Sequence, residues 1–115
     1  MRAAWRYATL LFMEPEEKSR AAAVALRNIV ATREPLRHFL ERHKLGINFF
    51  SQSVKRGSVE LKQLFRILDI LEIPPRLFLA LVDDDARAHL SGQDFAKVER
   101  IRQVVFRKET PWNPQ

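Results

Sequence analysis

Between Val59 and Leu71, the residues Leu61, Leu64, Phe65, Leu68 and Leu71 recur at steps of three and four, and Pro74-Pro75 follow. That spacing lays five apolar side chains along one stripe of an α-helix, which must be buried against other elements. A proline inside a helix removes a hydrogen bond and clashes with the preceding turn, so the helix ends before Pro74. Pro75 then opens a fifth helix through Leu77, Phe78, Leu81 and Val82. With 46% hydrophobic residues, 30% charged and only three glycines, the chain has the composition of a globular helical protein, and 115 residues suffice for one core.

The same signals predict the other helices. Pro15 fits the first turn of helix 1, about 16–31, with Glu14, Glu16 and Glu17 near the positive end of its dipole. Ala22, Leu26, Ile29 and Val30 give this helix one buried face and leave Lys18, Arg20 and Arg27 to solvent. Thr32 is the expected N-cap of helix 2, with Pro35 in the first turn and Leu36, Phe39 and Leu40 inward. It ends near Lys44, with Gly46 as a left-handed stop. A turn of two to four residues leads to helix 3, which starts at Asn48 as N-cap and runs to about Lys55. Phe50 and Val54 point inward, Gly57 terminates it, and Ser58 caps helix 4. Asp83, Asp84 and Asp85 oppose the dipole at the end of helix 5 and predict a break. Ser91 and Asp94 form a capping box for a last helix, about 92–109, with Phe95, Val98, Ile101, Arg102 and Val105 on one stripe. Residues 1–13, with Trp5, Tyr7, Leu10, Leu11 and Phe12, fit a strand or an irregular apolar arm equally well, and the tail from Thr110 to Gln115 reads as extended. The organisation is therefore an arm (1–15), a helical domain (16–85), and a C-terminal helix with tail (86–115).

Charge and residue inventory narrow the function classes. The net charge is +6, and its distribution is uneven. Residues 1–57 hold 11 Lys/Arg against 5 Asp/Glu, whereas residues 58–115 hold 9 of each, so a polyanion would meet one end of the molecule. There is no cysteine, which removes disulfides, thiolate metal sites and a thiol nucleophile and points to a reducing, cytoplasmic setting. His38, His43 and His89 lack zinc or triad spacing, and the acidic run at 83–85 lacks the ligand pattern of a calcium loop. No Gly-rich phosphate loop and no activated catalytic group is visible, so the reading is a non-enzyme without cofactor or metal. The apolar stretch from Ala8 to Met13 is too short to span a membrane and is followed by acids, so neither export nor a membrane partner is expected.

Particular stretches carry a resemblance. They are Thr32-Arg-Glu-Pro-Leu36 at the start of helix 2, Leu45-Gly46-Ile47 at the turn, Val54-Lys55-Arg56-Gly57 closing helix 3, and the whole of Ser58 to Pro75. Over residues 16–82 the chain resembles the lambda-repressor/Cro-like (XRE-type) helix-turn-helix family. The resemblance implies an all-α, five-helix domain to which the N-terminal apolar arm and the C-terminal helix are additions. It implies binding to double-stranded DNA, with helix 3 in the major groove and the start of helix 2 at the phosphates. Carried onto this sequence, the base-facing candidates are Asn48, Ser51, Gln52 and Lys55, and the phosphate candidates are Arg33, Arg37 and Arg56. The chemistry agrees: an amide such as Gln52 or Asn48 can bond adenine N6 and N7, and Lys55 can donate to guanine O6 or N7. Residues 33–57 hold six Lys/Arg against two acids. Phe49 either contacts a thymine methyl or belongs to the core.

The family further implies a transcriptional repressor or an antitoxin-type autoregulator, in which case a toxin is a possible protein partner. A homodimer is expected through Phe95, Val98, Ile101 and Val105, since two readers cover two half-sites; the alternative is docking within the chain, with Trp5, Leu11 and Phe12 of the arm as the lid. The alternative, from a different class, is a protein-protein interaction module that keeps the fold but has lost DNA binding. The family's frequent Gln is replaced here by Arg33, a departure that lends this alternative weight.

Overall fold

The computed structural model describes residues 14–106, which form seven helices and no strand: α1 (Pro15–Arg33), α2 (Leu36–Arg42), α3 (Phe49–Arg56), α4 (Leu61–Leu71), α5 (Pro75–Val82), α6 (Asp84–Ala88) and α7 (Gly92–Val105). The apolar arm at 1–13 and the tail at 107–115 lie outside the described residues.

Helix α1 is the central pillar and packs against α2, α3, α5 and α7. The sequence suggests one buried face, but Ala23, Ala25, Leu26, Ile29 and Val30 are all buried, because small alanines let neighbours approach from more than one side. The helix starts at Pro15, and the Glu14 backbone N–H donates to the Glu17 carboxylate at 3.0 Å. It also runs past the expected end at 31. Thr32 is not the cap of helix 2: its hydroxyl donates to the Ile29 carbonyl of its own helix at 2.6 Å. The break comes at Glu34, which is extended (φ −166°) because the ring of Pro35 disfavours a helical residue before it.

As a result α2 is short, beginning at Leu36 after Pro35 as N-cap. Its left-handed stop is Lys44 (φ 58°) rather than Gly46, and the Leu45 N–H closes back on the Leu40 carbonyl at 2.8 Å. Leu45 packs against the core, and that apolar contact after a left-handed residue is what a helix stop of this kind uses. The link to α3 therefore covers residues 43–48, longer than the expected turn.

In α4 the buried residues are Leu64, Ile67, Leu68 and Leu71, whereas Leu61 and Phe65 are 62% and 48% exposed. Two apolar stripes overlap on this helix, and the core takes the one containing Ile67. Its N-cap is Glu60, not Ser58. After α5 the acidic run does interrupt the chain, but it also starts a helix. Asp83 accepts from the Ala86 N–H at 3.1 Å and so caps α6. Ser91 caps α7 by accepting from the Asp94 N–H, but the expected box is only half made, because the Asp94 carboxylate pairs with Arg76 at 3.1 Å. Val98 and Val105 on α7 are 0% and 4% exposed, because this helix docks on α1, α5 and α6. Asn28 of α1 donates to the Val105 carbonyl at 2.7 Å. Glu99 of α7 pairs with Arg87 of α6 at 3.5 Å and with Arg102 at 3.3 Å.

Candidate nucleic-acid interface

Helix α3 has two unlike faces. Phe50 and Ser53 are buried and Phe49 and Val54 half-buried, while Asn48, Ser51, Gln52 and Lys55 are exposed. Positions 48, 51, 52 and 55 fall at steps of three and four, so all four expected base-facing residues share the outer face. Among the described residues, the side chains of Asn48, Gln52 and Lys55 make no hydrogen bond or ion pair. Asn48 stands at the N-cap, but its side chain makes no capping bond, so its amide is available to an external partner. Ser51 donates to the Asn48 carbonyl at 3.1 Å and can still accept. Phe49 is resolved as core: it packs against the buried cluster and meets Phe50 edge-on, with centroids 5.2 Å apart.

What fixes α3 comes from α1. The Arg20 guanidinium donates to the carbonyls of Val54 (2.5 Å) and Lys55 (3.1 Å), and Ser19 donates to the Gly57 carbonyl at 2.6 Å. A cation on the last carbonyls satisfies groups left unpaired at the helix end and offsets the negative end of the dipole. Gly57 adopts φ 82°, and a Cβ there would lie 2.9 Å from the Arg20 Nη2 atom. Glycine therefore serves both the left-handed turn and the close approach of the clamp. The sequence reading left Arg20 in solvent and did not single out Ser19, since nothing local links either to a carbonyl more than thirty positions away.

The expected phosphate contacts are divided. Arg37 is exposed and only loosely paired with Glu41, at 3.9 Å. Arg56 is exposed next to α3 and donates to the Ser58 hydroxyl and carbonyl at 3.3 and 3.2 Å. Arg33 is elsewhere. It donates to the Leu71 carbonyl at 3.1 Å and lines a groove to which α3 contributes no residue. Lys44, in the turn, is an exposed cation outside the expected phosphate set. Arg42 pairs with Glu34, so both acids of residues 33–57 are engaged by arginines. Ile47, 68% exposed, adds an apolar tip to the turn.

The residues expected to pair with a second copy are only partly open. Val98 and Val105 are buried in the chain's own core and Ile101 is half-buried against it, which leaves Phe95, 41% exposed, as the open member of the set. The buried members of this stripe pack on α1 and α5 of the same chain.

No protein-family model, curated protein or solved structure matches the chain. No described helix is long and apolar enough to cross a membrane.

Proposed function

We propose that the chain is a sequence-specific double-stranded DNA-binding protein of the lambda-repressor-like, helix-turn-helix kind, with α3 as its reading helix. The observation that carries this reading is the outer face of α3. Asn48, Gln52 and Lys55 project from a helix anchored at its C-terminal end by Arg20 and Ser19, and no partner within the described residues uses them. A surface helix whose amides serve no internal purpose, together with the exposed cations Arg37, Lys44, Lys55 and Arg56, offers the groups that base edges and phosphates require. The exposed Ile47 suits a thymine methyl. The order α1 to α5, with α2 and α3 joined by a turn and backed by α1, supports the same reading. Regulation by blocking promoter access, as a repressor or an autoregulating antitoxin, follows from the family resemblance.

The second reading is an interaction module, favoured by the exposed Leu61 and Phe65 of α4. Salt separates the two. Three phosphates neutralised by Arg37, Lys44 and Arg56 give a log–log slope of affinity against salt of about −3. Fluorescence anisotropy of a labelled duplex across a salt series measures it. A flat response, or no duplex binding at low salt, contradicts the DNA reading.

A further inference from the structure

At the end of α1 opposite the clamp on α3, a groove of about 660 Å³ opens between the last turns of α1, the α4–α5 link and α7. A volume of that size is typical of small-molecule sites, roughly 300–1,000 Å³. Its floor is apolar. Ile29, Leu77, Leu81 and Val105 are buried, and Ile101 is half-buried. The wall supplied by α7 alternates in character, because Lys97, Arg100, Ile101 and Val104 fall at steps of three, one and three along one side of the helix. Arg33 adds a third cation, and Glu72 is the one acid in the lining. Among the described residues, Lys97 and Arg100 make no hydrogen bond or ion pair. Arg33 spends one donor on Leu71, out of the five a guanidinium carries.

Charge decides between occupants. A second copy seated here would bring its own Arg33, Lys97 and Arg100 against the first set. Residues 1–13 of the chain carry Arg2 and Arg6 and no acid, and residues 107–115 carry Arg107 and Lys108 against Glu109, so neither segment brings a net negative charge to the rim. An apolar body with one negative end matches both floor and rim. We propose that this groove binds a small amphipathic carboxylic acid, its hydrocarbon part on Leu77, Ile101 and Val104 and its carboxylate at the rim of Arg33, Lys97 and Arg100. The proposal does not depend on DNA binding and is tested without DNA.

The test is a titration of the full chain, followed by backbone amide resonances, with sodium decanoate below its micelle concentration. The neutral 1-decanol and the cationic decylammonium ion serve as controls of equal length. Decanoate is expected to give saturable shifts at Lys97, Ile101 and Val104, with decanol at least about tenfold weaker and decylammonium weaker still. The Lys97→Gln/Arg100→Gln variant, altered at two exposed positions so that the fold is kept, should lose about tenfold or more in decanoate affinity while decanol is unaffected. Equal affinities for decanoate and decanol, or no loss in the variant, overturn the proposal. So does the absence of saturable groove shifts, the result expected if residues 1–13 fill the groove. A chain that sediments as a dimer with Ile101 and Val104 closed to decanoate overturns it in favour of a second copy.

Discussion

Gly57 is where backbone geometry and the anchoring of α3 meet. Its φ of 82° is a conformation that costs a residue with a Cβ about 1–2 kcal/mol. The added methyl would also press on the Arg20 guanidinium. Gly57→Ala is therefore expected to lower unfolding free energy by about 1–2 kcal/mol in urea denaturation and to weaken duplex binding through a residue that need not touch DNA. A variant as stable as the parent would show that the left-handed turn is not required. Arg20→Ala probes the same clamp from the other side. Hydrogen bonds from a charged donor are worth roughly 1.5–3 kcal/mol when desolvated, and Arg20 is exposed, so a loss of about 1 kcal/mol is expected. The Phe49 and Asn48 side chains show how finely a residue's role depends on its turn of helix. Neighbours in sequence, one is spent on Phe50 and the core and the other faces outward.

At the scale of elements, the ends of helices divide into those legible in the sequence and those that are not. Gly57, Pro74-Pro75 and the Ser91–Asp94 cap act where the sequence puts them, because a left-handed glycine, a proline ring and a local cap are set by nearest neighbours. Thr32, Gly46 and Ser58 are equally good candidates on paper. Thr32 bonds back into its own helix, Lys44 takes the left-handed position, and Ser58 receives Arg56, choices made by packing rather than by residue type. The short α6 was hidden because Asp83 reads as a stop, whereas it both closes α5 and caps the next helix. That junction is also charge-sensitive. The hydrogen bond from Lys18 at 2.6 Å holds the Asp83 carboxyl below the usual aspartate range, aided by the Ala86 N–H and opposed by partial burial. A depressed carboxyl pKa contributes stability that is fully present above the ordinary aspartate range and lost as pH falls through the depressed value. The pair is about a third exposed, so the contribution is under about 1 kcal/mol. Lys18→Gln should raise the Asp83 pKa in a carboxyl NMR titration and remove that part of the acid-limb slope. An unmoved pKa would discount the pair.

At the scale of the whole molecule, α7 packs on the chain's own α1, α5 and α6. Val98 is fully buried, so Val98→Ala is expected to cost about 2 kcal/mol of stability with no change in sedimentation coefficient of the folded protein. A shift from dimer to folded monomer would restore the pairing role read from the sequence. The all-helical class and most of the element order were legible because hydrophobic spacing reports each helix's own buried face. The docking of α7 was not, since an apolar stripe does not say which surface covers it. The four base-facing candidates emerge together on one exposed face, while Arg33 is drawn away by the Leu71 carbonyl. The outer face of α3 has no partner among the described residues, and whether it reads base pairs, as proposed, is open to direct measurement. Parallel selection from a random duplex pool with the parent chain and with Gln52→Ala tests it most directly. An enriched motif is expected for the parent and, for the variant, loss of preference confined to one or two adjacent positions, with a cost of about 1–3 kcal/mol on the parent's site. No enrichment by the parent, or the same motif enriched equally by both folded proteins, would contradict it.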